Sequence, residues 1–128
     1  MITPSYAAAL ALIFLVLSAR TILVRRSIGV GLGDGNNKSL TKAIRAHGNF
    51  AEYVPITLLL CYFLEVLPGG VSWVVHVSCA SLLVGRVLHA AGVSRLSEDF
   101  RYRVAGTALT LSALGLAAIG VLFVQILN

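Results

Sequence analysis

Three long stretches without a charged residue constrain this chain more than any other feature of its sequence. They are Ile2–Ala19, Val66–Gly85 and Val104–Asn128. A helix of about 20 apolar residues crosses the hydrocarbon core of a bilayer, so each stretch can supply one transmembrane helix. A fourth stretch, Tyr53–Leu64, is apolar but short and borrows length from the polar segment before it. The sequence therefore predicts four spans, at about residues 3–25, 41–67, 72–91 and 98–126.

The composition excludes the other common classes of protein. Charged residues make up 12% of the 128 residues and the hydrophobic set makes up 58%. A soluble protein usually carries about 25% charged residues, and a small domain needs them to cover its large relative surface. The composition also excludes a disordered chain, because such chains contain few apolar residues. We therefore predict an all-α fold: an integral membrane four-helix bundle of left-handed up-down topology, with residues 1–128 as a single domain.

The positive charges are confined to two connections, which indicates the orientation of the chain. All ten lie in or near the segments between spans 1 and 2 and between spans 3 and 4: Arg20, Arg25, Arg26, Lys38, Lys42, Arg45, Arg86, Arg95, Arg101 and Arg103. Cytoplasmic loops of membrane proteins carry such an excess. We therefore expect loops 26–40 and 92–97 in the cytoplasm and both termini outside. The net charge of +5 is then a topology signal with some attraction to membrane lipid, and no nucleic-acid partner is expected.

Polar side chains converge on the cytoplasmic half from three helices. On helix 2, Lys42, Arg45, Asn49 and Glu52 fall within about 80° of one another at 100° per residue. Ionisable groups near hydrocarbon are costly and usually face a partner or a site. Guanidinium groups suit carboxylates and a glutamate suits an ammonium, which favours a small zwitterion with excess negative charge. The candidates for a site are therefore Arg20 on helix 1, Arg45, Asn49 and Glu52 on helix 2, Arg86 and His89 on helix 3, and Arg101 and Arg103 on helix 4, while Lys42 is assigned to membrane topology.

Local signals place the helix ends and exclude a metal centre. Helix 2 is expected to start near Ser39 or Thr41, either of which could cap it, Gly92 is expected to end helix 3, and Ser97 is expected to cap helix 4. Glycines at 106, 115 and 120 are expected at close helix contacts. Cys61 and Cys79 lie inside apolar runs and are expected to be buried thiols. No Cys or His spacing predicts a metal site.

The segment Arg45–Pro55, RAHGNFAEYVP, resembles the signature of the MAPEG family, the membrane-associated proteins in eicosanoid and glutathione metabolism. Its pattern is roughly Arg-Ala-x-x-Asn-x-x-Glu-x-x-Pro. The segment Gly85–His89 is similar to the family's GRVxH element, and Arg103 matches an arginine near the start of helix 4. The resemblance implies a four-helix membrane protein, a homotrimer, and glutathione as the small zwitterion. A bacterial member of this type implies the inner membrane.

The resemblance also implies roles for single residues. Asn49 and Glu52 would hold the γ-glutamyl end of glutathione, and Arg45 would bind or organise the tripeptide. Arg103 or Arg101 would lie by the thiol, where a fixed positive charge favours the nucleophilic thiolate. A lipophilic electrophile would then arrive through the bilayer. The remaining residues expected to bind glutathione are Tyr53, Arg86 and His89.

Three positions depart from patterns seen in some family members. Gly48 stands where an arginine is found, and Val93 and Thr107 stand where tyrosines are found. These departures favour a general glutathione transferase or peroxidase over a specialised eicosanoid synthase. They also keep open a non-catalytic lipid-binding or scaffold member of the same fold. A small multi-span transporter is a third interpretation, although span 1 lacks a carboxylate that could couple transport.

Overall fold

Four long helices account for nearly all of the chain that is described. A computed structural model describes residues 1–94 and 100–127. Each helix is long and apolar enough to cross a membrane, and no strand occurs in the two described ranges. The all-α prediction with four spans is confirmed. The helices are α1 (Thr3–Ile28), α2 (Lys38–Val66), α3 (Ser72–Ser94) and α4 (Phe100–Leu127).

The helix α2 begins earlier than the sequence suggested. Its N-cap is Asn37, whose side chain accepts hydrogen bonds from the backbone N–H groups of Ser39 and Leu40, at 3.0 and 3.1 Å. Asparagine at this position satisfies two donors that a helix leaves without intrahelical partners. The prediction that Ser39 or Thr41 caps the helix is therefore wrong. As a consequence, Lys38 becomes the first residue of the helix.

Helix α3 continues past Gly92, which was expected to end it, to Ser94. Gly92 has a packing role instead, since a Cβ atom there would lie 2.8 Å from the backbone nitrogen of Arg103 on α4. The prediction that Ser97 caps helix 4 concerns a residue outside the described ranges. Helix α1 likewise runs beyond the expected Arg25, to Ile28, and is capped by Gly29, which adopts a left-handed conformation with φ of 68°.

Small residues bring α3 and α4 into close contact. A Cβ atom on Gly106 would lie 2.5 Å from the backbone nitrogen of His89 and 2.6 Å from the carbonyl oxygen of Gly85. Gly120 packs against α2 instead, since a Cβ atom there would lie 2.9 Å from the side chain of Leu64. The prediction is wrong for Gly115, where an added Cβ would meet no atom of the described chain within 4 Å. Close backbone approach of this kind is a common way for membrane helices to associate.

Two apolar clusters fill the bundle, one towards each end. One includes Leu17, Phe50 and Leu82, and the other includes Cys61 and Cys79. Both cysteines are free and buried, as the sequence predicted. At the first cluster α1 is fixed to α2 by polar and aromatic contacts. There His47 lies 3.1 Å from the Ser18 hydroxyl and stacks on Phe14 at 4.7 Å.

Candidate functional site

A cavity of about 750 Å³ lies between the first half of α2, the C-terminal end of α3 and the N-terminal end of α4. This volume falls within the usual range of small-molecule binding sites, roughly 300–1,000 Å³. We call it the basic cavity because cations dominate its charged side chains. Its wall consists of Lys38, Thr41, Lys42, Ile44, Arg45, Gly48, Asn49, Glu52, His89, Val93 and Arg103.

The spacing of polar residues on α2 explains why this helix supplies most of the wall. Lys38, Lys42, Arg45, Asn49 and Glu52 follow one another at intervals of four, three, four and three residues. Such spacing keeps side chains on one face of an α-helix. With a rise of 1.5 Å per residue, this stripe extends over about 21 Å of the helix axis. One helix face therefore presents a row of charged and amide groups to the cavity.

Helices α3 and α4 close the opposite side. His89 contributes from α3, where its side chain is 5% exposed. Arg103 contributes from the first turn of α4 and is exposed. The glycine contacts at positions 92 and 106 bring these two helices close enough for His89 and Arg103 to share one wall. Small residues in the helix interface are thus what place the two side chains opposite the α2 stripe.

Arg86 lies behind the wall, and its side chain is 1% exposed. Its Nη1 donates to the side-chain oxygen of Asn49 at 2.6 Å and to the Asn49 carbonyl at 3.3 Å. Its Nε donates to the hydroxyl of Thr110 at 3.0 Å, and that hydroxyl donates to the Gly106 carbonyl at 2.8 Å. Because Arg86 occupies the oxygen of Asn49, the NH₂ group of that amide is the part it can offer to a ligand.

The structure brings together most of the residues that the sequence singled out. Arg45, Asn49, Glu52, His89 and Arg103 all line the basic cavity. Arg86 supports the wall from behind through Asn49. Tyr53 is half-buried and Arg101 is exposed, and neither is a wall residue of the cavity. Residues 101 and 103 differ by 200° around α4, so the two arginines point in different directions.

Several wall residues were not among the predicted site residues. Lys38 and Lys42 were assigned to membrane topology, yet both line the cavity together with Arg45. The signal was available in the spacing, since Lys38 precedes Lys42 by one turn on the same face. Lys38 was not assigned to this face because a helix that starts at Ser39 or later leaves Lys38 in the connection before it. Gly48 and Val93, two of the three departures from the family pattern, also lie on the wall.

A carboxylate of the α1–α2 connection is hydrogen-bonded to the wall. Asp34 accepts from the hydroxyl of Thr41 at 2.9 Å and from the backbone N–H of Asn36 at 3.1 Å. These hydrogen bonds favour the ionised form and hold the pKa of Asp34 below its ordinary value, with the Asn36 bond contributing most. The connection is thereby tied to the start of α2 next to the cationic part of the cavity.

Comparison with known proteins agrees with a four-helix membrane fold. The inner membrane protein YecN of Escherichia coli strain K12, and the YecN of strain O6:H1 CFT073, are each 37% identical to the chain over 114 residues. The match covers 89% of this chain and 85% of each relative. No solved structure gives a significant match. The four apolar helices and these relatives show an integral membrane protein. Residues 3–123 match the model of the MAPEG family, and the chain therefore belongs to that family.

Proposed function

We propose that the protein is a glutathione-dependent membrane transferase or peroxidase. The observation that supports this most is the meeting of Arg45, Asn49, Glu52, His89 and Arg103 in one cavity, from three helices. Glutathione carries two carboxylates, one ammonium and a thiol. The wall offers guanidinium groups for the carboxylates and a carboxylate for the ammonium, so its donor set fits this ligand.

Three polar groups on α2, those of Glu52, Asn49 and Arg45, each have a partner on the tripeptide in this proposal. Glu52 accepts from the ammonium of the γ-glutamyl residue. The NH₂ group of Asn49, whose oxygen is held by Arg86 at 2.6 Å, donates to the carboxylate of that residue. Arg45, at the far end of the same segment, binds the glycine carboxylate. A fixed amide and charged groups along one helix face orient the ligand without further movement of the backbone.

Arg103 faces the α2 stripe across the cavity, and we assign it to the thiol. A permanent positive charge beside a thiol lowers its pKa and raises the fraction present as thiolate. The thiolate sulfur then bonds to an electrophilic carbon while the leaving group departs with its electron pair and the thiol proton passes to solvent. In the peroxidase reaction, two glutathione thiols reduce a hydroperoxide to an alcohol and water and become a disulfide.

The expected orientation fits this chemistry. With the two basic connections in the cytoplasm, the basic cavity opens on the side where glutathione is kept reduced. The lipophilic substrate enters from the bilayer between helices. We further propose a homotrimer in the inner membrane, in which a neighbouring subunit would close the open side of the cavity.

The test compares two arginines on α4 in detergent-purified protein. Arg103→Leu should still bind glutathione but lose the ultraviolet absorbance of the thiolate and lose turnover of a lipophilic electrophile. Arg101→Leu is the matched control, since it lies in the same helix turn and outside the cavity wall, and it should behave like the wild type. Absence of glutathione binding at millimolar concentration, measured by calorimetry, would contradict the proposal.

A non-catalytic role in the same fold is the second candidate. It is favoured by Gly48 and Val93, which lie on the cavity wall where some family members carry arginine and tyrosine. At Gly48 an added Cβ atom would meet no atom of the described chain within 4 Å, so there is open space at this position of the wall. Glutathione binding without turnover of a broad panel of electrophiles and hydroperoxides would favour this candidate.

A further inference from the structure

One face of α1 is apolar along its length and ends in a cation. We call it the apolar face of α1, and its exposed large side chains are Leu12, Leu15, Val16, Ile22 and Leu23. At 100° per residue these side chains fall within a sector of about 120°, and Arg26 lies inside the same sector. A transmembrane helix meets acyl chains with such a face. Arg26 therefore lies where the acyl chains end and the lipid head groups begin.

A groove of about 400 Å³ lies beside Arg26 at the end of α1. We call it the α1 groove, and its wall consists of Ile22, Arg25, Arg26, Gly29, Val30 and Gly31. Among the described residues, this wall contains two guanidinium groups and no carboxylate, and it shares no residue with the basic cavity. The guanidinium of Arg26 is exposed and makes no hydrogen bond or ion pair within the described ranges.

The connection between α1 and α2 holds the other guanidinium in place. Nη1 of Arg25 donates to the carbonyl of Gly33 at 2.8 Å and to that of Gly31 at 3.5 Å. The connection is itself packed, since a Cβ atom on Gly35 would lie 2.6 Å from a methyl group of Val30. Nε and Nη2 of Arg25 have no hydrogen-bond partner in the described part of the chain. A fixed guanidinium thus keeps three N–H donors for a ligand.

The end of α1 does not need these side chains to satisfy its backbone. Arginines in the last turn of a helix often interact with the last carbonyl groups. Here the backbone N–H of Gly29 donates to the carbonyls of Arg25 and Arg26, and that of Val30 donates to the carbonyl of Arg25 at 3.2 Å. Both side chains are therefore left to bind something outside the helix.

An exposed leucine on the same connection indicates that the ligand has an apolar part. Leu32 is 93% exposed, so the described chain offers it almost no cover. An apolar side chain next to a transmembrane helix is stabilised when it is buried among acyl chains. Leu32 and the apolar face of α1 thus lie beside two cations that can hold an anionic group. A molecule with a phosphate and acyl chains matches both kinds of surface.

We propose that the α1 groove binds the head group of an anionic phospholipid from the leaflet that surrounds this end of the bundle. Arg25 and Arg26 hold the phosphate oxygens, which a guanidinium matches in pairs, and the acyl chains lie along the apolar face of α1. A lipid with a net negative charge is preferred, because the ammonium of a zwitterionic lipid adds a positive charge beside the two arginines. The site is independent of glutathione and of the proposed function.

Native mass spectrometry in a neutral detergent tests this site by counting the lipids bound at graded concentrations. The probes are a phosphatidylglycerol and a phosphatidylcholine with the same acyl chains. The wild type should bind phosphatidylglycerol more tightly by about fivefold or more. Arg26→Gln should weaken that binding about fivefold, as expected for one arginine near an anionic head group. Because Arg26 is exposed and its side chain has no partner in the described ranges, the variant should fold normally.

Lys38→Gln is the matched control, since it removes one exposed cation at the same end of the bundle and outside the α1 groove. It should keep the affinity for phosphatidylglycerol, and equal weakening by both substitutions would overturn the proposal. Equal affinity of the wild type for the two lipids would also overturn it. So would displacement of the lipid by an equal concentration of glycerol phosphate, which lacks acyl chains. The same spectra count the chains in each particle, and a smaller assembly of Arg26→Gln would show a contact between copies instead of a lipid site.

Discussion

The hydrogen bond between Arg86 and Thr110 allows a test of how the site is supported. Replacing Thr110 with valine keeps the volume of the side chain and removes the hydroxyl that accepts from Arg86 Nε at 3.0 Å. Arg86 is 1% exposed, so water cannot take the place of the lost acceptor. Its Nη2 already has no hydrogen-bond partner among the described residues. The substitution would leave a second buried donor of the same guanidinium without a partner.

The expected cost follows from these contacts. A hydrogen bond to a charged group contributes about 1.5–3 kcal/mol, and an unsatisfied buried donor costs a similar amount. For a chain of this length 1 kcal/mol corresponds to a shift of about 3–5 °C in Tm. Thr110→Val should therefore lower Tm by roughly 5–15 °C. Asn49 keeps its bond to Arg86, so the site is weakened rather than dismantled.

Thr107→Val provides a closely matched control. The hydroxyl of Thr107 donates to the carbonyl of Arg103 at 3.0 Å, just as that of Thr110 donates to Gly106 at 2.8 Å. Both substitutions remove a bond within α4, but only Thr110→Val removes the partner of Arg86. Unfolding can be followed with a thiol-reactive dye, because Cys61 and Cys79 are free and buried.

The comparison has a clear refuting result. If Thr110→Val and Thr107→Val lower Tm equally, Arg86 draws no stability from the Thr110 hydroxyl. The interpretation of Arg86 as a buried support that fixes Asn49 would then lose its energetic basis. A larger shift for Thr110→Val alone, together with weaker glutathione binding, is the outcome we expect.

Three further predictions concern other contacts. Gly106→Ala should lower Tm by roughly 3–15 °C, because overpacking costs about 1–3 kcal/mol, while Gly115→Ala should not lower it. Glu65→Gln should cost about 1 kcal/mol in thermal unfolding, since Glu65 accepts from the Thr3 backbone N–H at 2.9 Å and lies 3.8 Å from the terminal ammonium. Asp34 has a lowered pKa in the folded protein, so its contribution is present above its unfolded pKa of about 3.9 and is lost as pH falls through the folded value. In a pH series of Tm, Asp34→Asn should show a smaller fall in acid than the wild type.

The sequence was most informative where a single physical requirement decides the structure. Spanning a bilayer requires long apolar helices, and the charge-free runs predicted all four. Helical periodicity alone placed Arg45, Asn49 and Glu52 on one face, and the cavity lies along that face. In both cases the requirement acts on one helix at a time, so no knowledge of neighbouring helices is needed.

The errors arose where one residue type serves two physical roles. Gly92 can end a helix or admit a neighbouring backbone, and its contact with Arg103 on α4 shows the second role. The side chain of Arg86 points behind the cavity wall because of how α3 is rotated about its axis relative to α2 and α4. The three-residue spacing between Arg86 and His89 in the sequence does not determine this rotation. Lys38 could not be assigned to the stripe while the start of α2 was uncertain, since Asn37 and not Ser39 caps the helix.

The same cations contribute to the orientation of the chain in the membrane and to the basic cavity, but these two roles can be separated experimentally. Orientation depends on the summed excess of Lys and Arg on one side, and the chain has ten such residues. Replacing Lys38 and Lys42 leaves eight, including Arg25 and Arg26 at the end of α1, so the orientation should persist. Binding in the cavity instead depends on where each charge lies along the stripe on α2. A change in ligand binding without a change in orientation therefore reports on the basic cavity and not on membrane insertion.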